Sequence, residues 1–182
     1  FIMKITKLEK KKRLYLLETD SDQKCYVTED TIVRFFLSKD KEISEQDWKE
    51  IQAFAQLSYG KDLALYYITF KQRTRKEVAD YLKKYEIADT IIPTILNNLE
   101  QDNWINDKQY TENFIQQNLR NGDKGPQVLW QKLFQKGITK ELIQAALDTN
   151  DFTDLATKTA EKIVLKNQRK LPEKALQMKV YQ

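Results

Sequence analysis

Two stretches 51 residues apart constrain this chain more than any other feature. Residues 73–87 read RTRKEVADYLKKYEI, and residues 124–138 read KGPQVLWQKLFQKGI. Each opens with a helix-start signal and continues with apolar residues at helical spacing, Val78, Tyr81, Leu82 and Tyr85 in the first and Leu129, Trp130, Leu133 and Phe134 in the second. At an offset of 51, Val78 matches Leu129, Leu82 matches Leu133, and Ile87 matches Ile138. Further on, Ile91, Ile92 and Leu96 match Leu142, Ile143 and Leu147. Six apolar positions in one register define an internal repeat of about 50 residues, built from three helices.

The helix boundaries follow from local chemistry. Thr74 and Glu77 form a T-x-x-E capping box. Asp89 is read as the cap of a third helix carrying Ile91, Ile92, Ile95, Leu96 and Leu99, with Pro93 in its first turn. In the second copy Asp107 opens a helix bearing Tyr110, Phe114 and Leu119. Gly125–Pro126 starts the next, Gly137 suits the left-handed residue that closes it, and Thr139 caps the last. A third copy begins with Leu155, Ala156, Ala160, Ile163 and Val164. It continues through Leu171–Pro172 to Leu176 and Val180, and stops at Gln182 short of a third helix.

The front end differs. MKITKLEKK, RLYLLET and KCYVTED are short β-like segments, with turn chemistry over Thr19–Lys24. They predict a small antiparallel sheet over residues 3–28. A short helix capped by Thr28 or Asp30 then carries Ile32, Val33, Phe36 and Leu37, and another after Ser44 carries Trp48, Ile51 and Phe54. The expected fold is mainly α: tandem three-helix repeats forming an elongated curved array behind a small N-terminal antiparallel β-sheet. The expected organisation is residues 1–57 for the sheet plus two helices, 58–104 for repeat 1, 105–150 for repeat 2, and 151–182 for an incomplete repeat 3.

Composition narrows the chemistry. The chain has no histidine, so imidazole acid–base catalysis, Ser-His-Asp triads and His-liganded zinc are impossible. Its four glycines make no phosphate loop. Acidic residues are scattered among lysines on helix faces, a pattern of solvated surface. The expectation is a non-enzyme without cofactor or metal. Cys25, the single cysteine, cannot form an internal disulfide. With no signal-peptide pattern and no apolar run of the roughly 20 residues that span a bilayer, a cytoplasmic protein is expected. Phe1 and Ile2 precede Met3, the expected natural start.

Net charge is +4. Residues 1–60 carry 11 Lys or Arg against 11 Asp or Glu, whereas residues 61–182 carry 20 against 16. The excess therefore lies with the repeats, a mild bias that permits an anionic partner. Around the second helix of repeat 1 lie Lys71, Arg73, Arg75, Lys76, Lys83 and Lys84. Repeat 2 carries a second cluster of Arg120, Lys124, Lys132, Lys136 and Lys140, read as recurring at equivalent positions. Lys158, Lys162, Lys166 and Arg169 make a stripe in repeat 3. Each cluster has two readings, a solvated helix face or a contact to DNA phosphates or an acidic protein surface. Arginine suits the latter through its bidentate fork. Tyr66, Tyr67, Tyr81, Tyr85 and Trp130 have helical spacing that assigns them to the core, with base stacking as the alternative.

The order of these segments resembles the RecX family, bacterial regulatory proteins that modulate the recombinase RecA. The resemblance is carried by RTRKEV, by the aromatic helix entry WINDKQYTENF, and by KGPQVLWQKLFQKGI with its Lys-Gly-Ile close, over about residues 29–182. Thr74 stands where the family usually has serine, Val78 replaces a usual leucine, and Pro126 is less typical. The resemblance implies a monomer that lies along the RecA–DNA filament and suppresses ATP hydrolysis, strand exchange and filament extension. It also implies weak, non-specific contact with single- or double-stranded DNA and a place in DNA repair, recombination and the SOS response. A DNA-binding protein with tandem helix-turn-helix-like repeats is the alternative, and a structural adaptor a third.

Overall fold

A computed structural model describes residues 1–152 and Val164. The chain divides into two compact units, residues 1–106 and 107–182.

The first unit opens with a four-stranded antiparallel sheet. Strands β1 (Ile2–Lys11), β2 (Leu14–Thr19), β3 (Lys24–Val27) and β4 (Glu42–Ser44) lie in the order β3-β2-β1-β4. The fourth strand was not expected. It has three residues and presents one buried side chain, Ile43, too short a run for alternation to register. Its partners are Ile2, Met3 and Lys4 of β1. Met3, Ile5, Leu17, Val27 and Ile43 pack with Trp48, Ile51 and Ala55 into one core.

Helix α1 (Glu29–Phe35) is capped by the Thr28 hydroxyl, which accepts from the Thr31 amide. That hydroxyl also bonds Ser58 at 2.8 Å, tying the cap to the next helix. Two residues expected on the apolar face of α1 depart from it. Val33 is exposed, and Phe36 is the left-handed residue that ends the helix, with its ring in solvent.

Helix α2 (Glu45–Phe70) begins with a capping box between Ser44 and Asp47. It runs unbroken through the position where the sequence reading closes one helix near residue 57 and opens another. Its N-terminal half therefore covers the sheet, while its C-terminal half is the first helix of the first three-helix unit. Gly60 fits inside this helix because another helix crosses there. A Cβ on Gly60 would lie 2.5 Å from Ile95 Cδ1.

Helices α3 (Arg75–Lys84) and α4 (Ile92–Gln101) complete that unit around Ala64, Val78, Leu82, Ile95 and Leu99, all without exposed surface. The Thr74–Glu77 capping box is present at the start of α3. Asp89 does not cap α4. The helix starts at Ile92 without a side-chain cap, and the residue whose carbonyl receives the Ile92 amide is Ala88, which has no side-chain acceptor.

The second unit repeats the design with α5 (Asp107–Asn121), α6 (Pro126–Gln135) and α7 (Lys140–Asp148) around Ile115, Leu129, Leu133, Ile138 and Ile143. The offset of 51 holds through the first two helices of each unit, whereas α7 starts three residues earlier than that register would place it. Helix α2 ends at Phe70 and α5 at Asn121; α3 and α6 have matching bounds. Buried residues match buried ones in five of the six apolar pairs, and Ile91 and Leu142 are both half-buried. What differs is capping. Thr74 has a box where Gly125 has no side chain, and Ala88 has no acceptor where the Thr139 hydroxyl accepts from the Leu142 amide at 3.3 Å. Each unit thus has one side-chain cap that the other lacks.

Candidate functional site

The basic residues of the first unit divide into two kinds. Arg73 and Arg75 serve the fold. The Arg73 Nε donates to the Tyr67 carbonyl at 3.3 Å, and its guanidinium lies over the Tyr67 ring at 3.8 Å. Arg75 reaches from α3 to α4, pairing with Glu100 at 2.7 Å and donating twice to Asn97 Oδ1 at 3.2 Å. Lys76 is exposed and sits 3.8 Å from Asp80. Lys71, Lys83 and Lys84 are exposed. Both lysines at the end of α3 stand where the helix dipole favours cations.

In the second unit Arg120 donates to the Gln116 carbonyl one turn earlier at 3.4 Å. Lys124 and Lys132 are exposed, Lys136 is half-buried at the end of α6, and the Lys140 ammonium is 5.8 Å from the Phe134 ring. Lys158, Lys162, Lys166 and Arg169 lie outside the described residues. The charge does not follow the apolar register. Among the candidate cations, Arg73 and Lys124 alone are 51 residues apart; the equivalents of Arg75, Lys83 and Lys132 are Pro126, Phe134 and Tyr81. The expected recurrence at equivalent positions is thus corrected to two clusters on one duplicated frame. Buried positions are held by packing, whereas solvent positions drift.

Tyr66 and Tyr85 depart from their core assignment, whereas Tyr67 packs against the core. Tyr67 and Tyr81 stack at 4.1 Å with their planes 3° apart, and Tyr81 meets Tyr85 at 4.8 Å. Arg73, Tyr67, Tyr81 and Tyr85 therefore form a continuous ladder across α2 and α3. Burial and the neighbouring Tyr85 hydroxyl push the Tyr81 phenol up to about 12. Tyr66 is 52% exposed and Tyr85 43% exposed. The 3.6-residue period found the helices, but Tyr66 and Tyr85 lie at the edge of the apolar stripe, where a ring is half in water. Trp130 is half-buried and stacks on Phe134 at 5.1 Å.

Among the described residues no group of three or more Cys, Asp or Glu side chains could hold a metal ion. No helix among them is long and apolar enough to cross a membrane. Burial pushes the Cys25 thiol up to about 11, so it is protonated and a poor nucleophile at neutral pH.

The two three-helix units are matched separately by family models. Residues 61–99 match the first three-helix domain of RecX, and residues 106–147 match the second. Regulatory protein RecX of Streptococcus sanguinis (strain SK36) is 60% identical over 180 residues, spanning 99% of this chain and 70% of the relative. Regulatory protein RecX of Streptococcus pneumoniae (strain Hungary19A-6) is 58% identical over the same shares. A crystal structure of regulatory protein RecX superposes with a TM-score of 0.67 at 28% identity, covering 94% of this chain and 85% of that one. RecX from Lactobacillus salivarius superposes at 0.56 and 34% identity, covering 63% and 76%.

Proposed function

The chain belongs to the RecX family of regulatory proteins, and on that premise we propose that it binds the RecA–DNA filament and inhibits the recombinase without catalysis of its own. The observation that carries this reading is the division of labour among the cations. Arg73 and Arg75 are engaged by the fold, while Lys71, Lys83 and Lys84 of the first unit and Lys124 and Lys132 of the second stand in water. Each unit thus offers positive charge to an anionic surface, and that surface is either DNA phosphate or acidic protein.

Two three-helix units in one chain also favour a repetitive target. Once one unit is bound, the linked unit meets its site at a raised effective concentration, so individually weak contacts add. Binding along a filament in this way slows subunit exchange and the nucleotide turnover coupled to it.

The test is a titration of the full chain against recombinase on single-stranded DNA, reading DNA-dependent ATPase. Inhibition at substoichiometric protein is expected, with no ATPase or nuclease activity from the protein alone. An unchanged ATPase at equimolar protein would overturn the reading. Binding to one naked duplex sequence with no response to the filament would support a sequence-specific DNA reader instead.

A further inference from the structure

Aromatic rings and a cation converge on one cleft in the first unit. Helix α2 supplies Tyr59, Asp62 and Tyr66, helix α3 supplies Tyr81, the residue that ends it supplies the Tyr85 ring, and Arg13 enters from the turn after β1; together they surround about 270 Å³. Tyr66 and Tyr85, which both line it, keep about half their surface in water. Their place at the edge of the apolar stripe leaves both rings half in water, and it also brings both to one opening.

We propose that this cleft is a stacking subsite for one unpaired base of a single-stranded nucleic acid. Tyr66 and Tyr85 supply the π-faces, and Asp62 accepts a hydrogen bond from the exocyclic amine of the base. Arg13 meets the adjoining phosphate.

Three observations favour that occupant. The Tyr85 ring leans on Tyr81 with their planes 55° apart, and Tyr81 is held in turn by its stack on Tyr67, which Arg73 covers. A platform held from behind loses little freedom when a base lies on it. The cleft's one lining cation is Arg13, and further exposed lysines flank lining residues in the chain, Lys12 beside Arg13 and Lys83 and Lys84 before Tyr85. Of the neighbouring acids on α3, Asp80 pairs with Lys76 and Glu77 is tied to the Thr74 amide. Asp62 is the one acid that lines the cleft, and partial burial with Asp30 nearby raises its pKa. A carboxylate among aromatic rings would also suit a basic peptide, but Arg13 in the same wall repels one. A duplex is excluded by geometry, since its bases are already paired and stacked. Base stacking on aromatic side chains tolerates any sequence and suits a strand held open.

The subsite deepens the function proposed above, because the identity of the strand as recombinase-bound DNA rests on that reading. The stacking step does not, so naked oligonucleotide is the first probe. Fluorescence anisotropy of labelled (dC)20 with the full chain should show binding, weaker for (dT)20, which lacks the exocyclic amine. Tyr66→Ala with Tyr85→Ala should weaken (dC)20 binding tenfold or more, whereas Tyr66→Phe with Tyr85→Phe should hold it within about threefold. Asp62→Ala should erase the preference for (dC)20. Photocrosslinking of 5-iododeoxycytidine needs no variant and should map to Tyr66 or Tyr85. The proposal is overturned by an absence of (dC)20 binding, by an alanine pair that binds as the wild type does, or by crosslinks confined to other residues. An alanine pair that loses (dC)20 and duplex binding equally also overturns it. Recombinase ATPase measured on the same proteins keeps the two readings apart. Oligonucleotide binding without inhibition sinks the regulatory function, and inhibition without oligonucleotide binding sinks the subsite.

Discussion

Asn118 closes the loop between α5 and α6 by bonding both backbone groups of Lys124. Its Nδ2 donates to the Lys124 carbonyl at 2.7 Å, and its Oδ1 accepts from the Lys124 amide at 3.2 Å. The equivalent positions in the first unit, 51 residues earlier, are Tyr67 and Arg73, and they make the same closure in reverse. There the later residue reaches back, with Arg73 Nε donating to the Tyr67 carbonyl. One position pair thus fixes the entry to the second helix in both units, with different chemistry in each.

Removing the second clasp should be costly. Asn118 is 8% exposed and makes two bonds to the Lys124 backbone, so Asn118→Ala removes both at once. The expected loss is about 1–3 kcal/mol in urea unfolding. Gly122 should be intolerant for a related reason, since a Cβ there would lie 2.3 Å from Asn118 Oδ1. An Asn118→Ala protein as stable as the wild type would show the clasp to be dispensable.

The closing turns of α3 and α6 form a natural experiment. Ile87 donates to the Leu82 carbonyl at 3.1 Å and Ile138 to the Leu133 carbonyl at 3.2 Å, the same helix-ending bond in both units. The residue before each is left-handed, but it is Glu86 with φ 62° in one and Gly137 with φ 87° in the other. A side chain costs about 1 kcal/mol in that conformation. Glu86→Gly should therefore stabilise the protein, or leave it unchanged once the greater freedom of the unfolded glycine is counted. Gly137→Ala should destabilise it by about 1 kcal/mol. Thermal melts of both variants decide the matter, and a destabilising Glu86→Gly would contradict the matched turn geometry.

The residues that repeat were legible in the sequence because burial preserves them. Val78 and Leu129, or Leu82 and Leu133, meet the same demand for apolar volume, and a period search finds them. Polar functions that the backbone can receive from several sources were less legible. Asp89 looks like a cap in sequence, yet the acceptor falls at Ala88, one residue earlier. The Tyr67–Arg73 clasp joins residues six apart whose types name no known motif. Surface charge was the least legible. Arg73 and Arg75 read as binding residues, and no pattern announced that Tyr67, Asn97 and Glu100 had engaged them.

The Cys25 thiol gives a pH dependence with a definite sign. Burial raises its pKa from 9.0 to about 11 in the folded protein, so the unfolded chain releases this proton first. Its contribution is fully present below pH 9 and is lost as pH rises from 9 towards 11. Urea midpoints should thus fall less steeply over that window in Cys25→Ala than in the wild type. Alkylation by iodoacetamide at pH 8.5 should be much slower in the native protein than in urea. Equal alkylation rates would mean that Cys25 is not sheltered.

Basic residues can be sorted by whether a substitution moves stability, binding or both. Lys83 and Lys84 are exposed at the end of α3, and changing both to alanine should alter stability by at most about 0.5 kcal/mol per site. The same change should weaken filament binding and flatten its salt dependence, because each lost phosphate contact removes about 0.7 from the slope for a single strand. Arg75 should behave differently. Its bridge from α3 to Glu100 and Asn97 is partly exposed, so Arg75→Ala should cost about 0.5–1 kcal/mol. Arg73→Lys separates charge from geometry in one residue. Lysine keeps the positive charge but has no Nε–H fork to reach the Tyr67 carbonyl and no planar group to lie on its ring. If Arg73 acts through the fold, Arg73→Lys should lower the melting temperature and retain the salt slope of the wild type. If it contacts phosphate through its fork, binding should fall while the melting temperature holds. Unfolding curves and anisotropy titrations at three salt concentrations, run on the same preparations, distinguish the two outcomes.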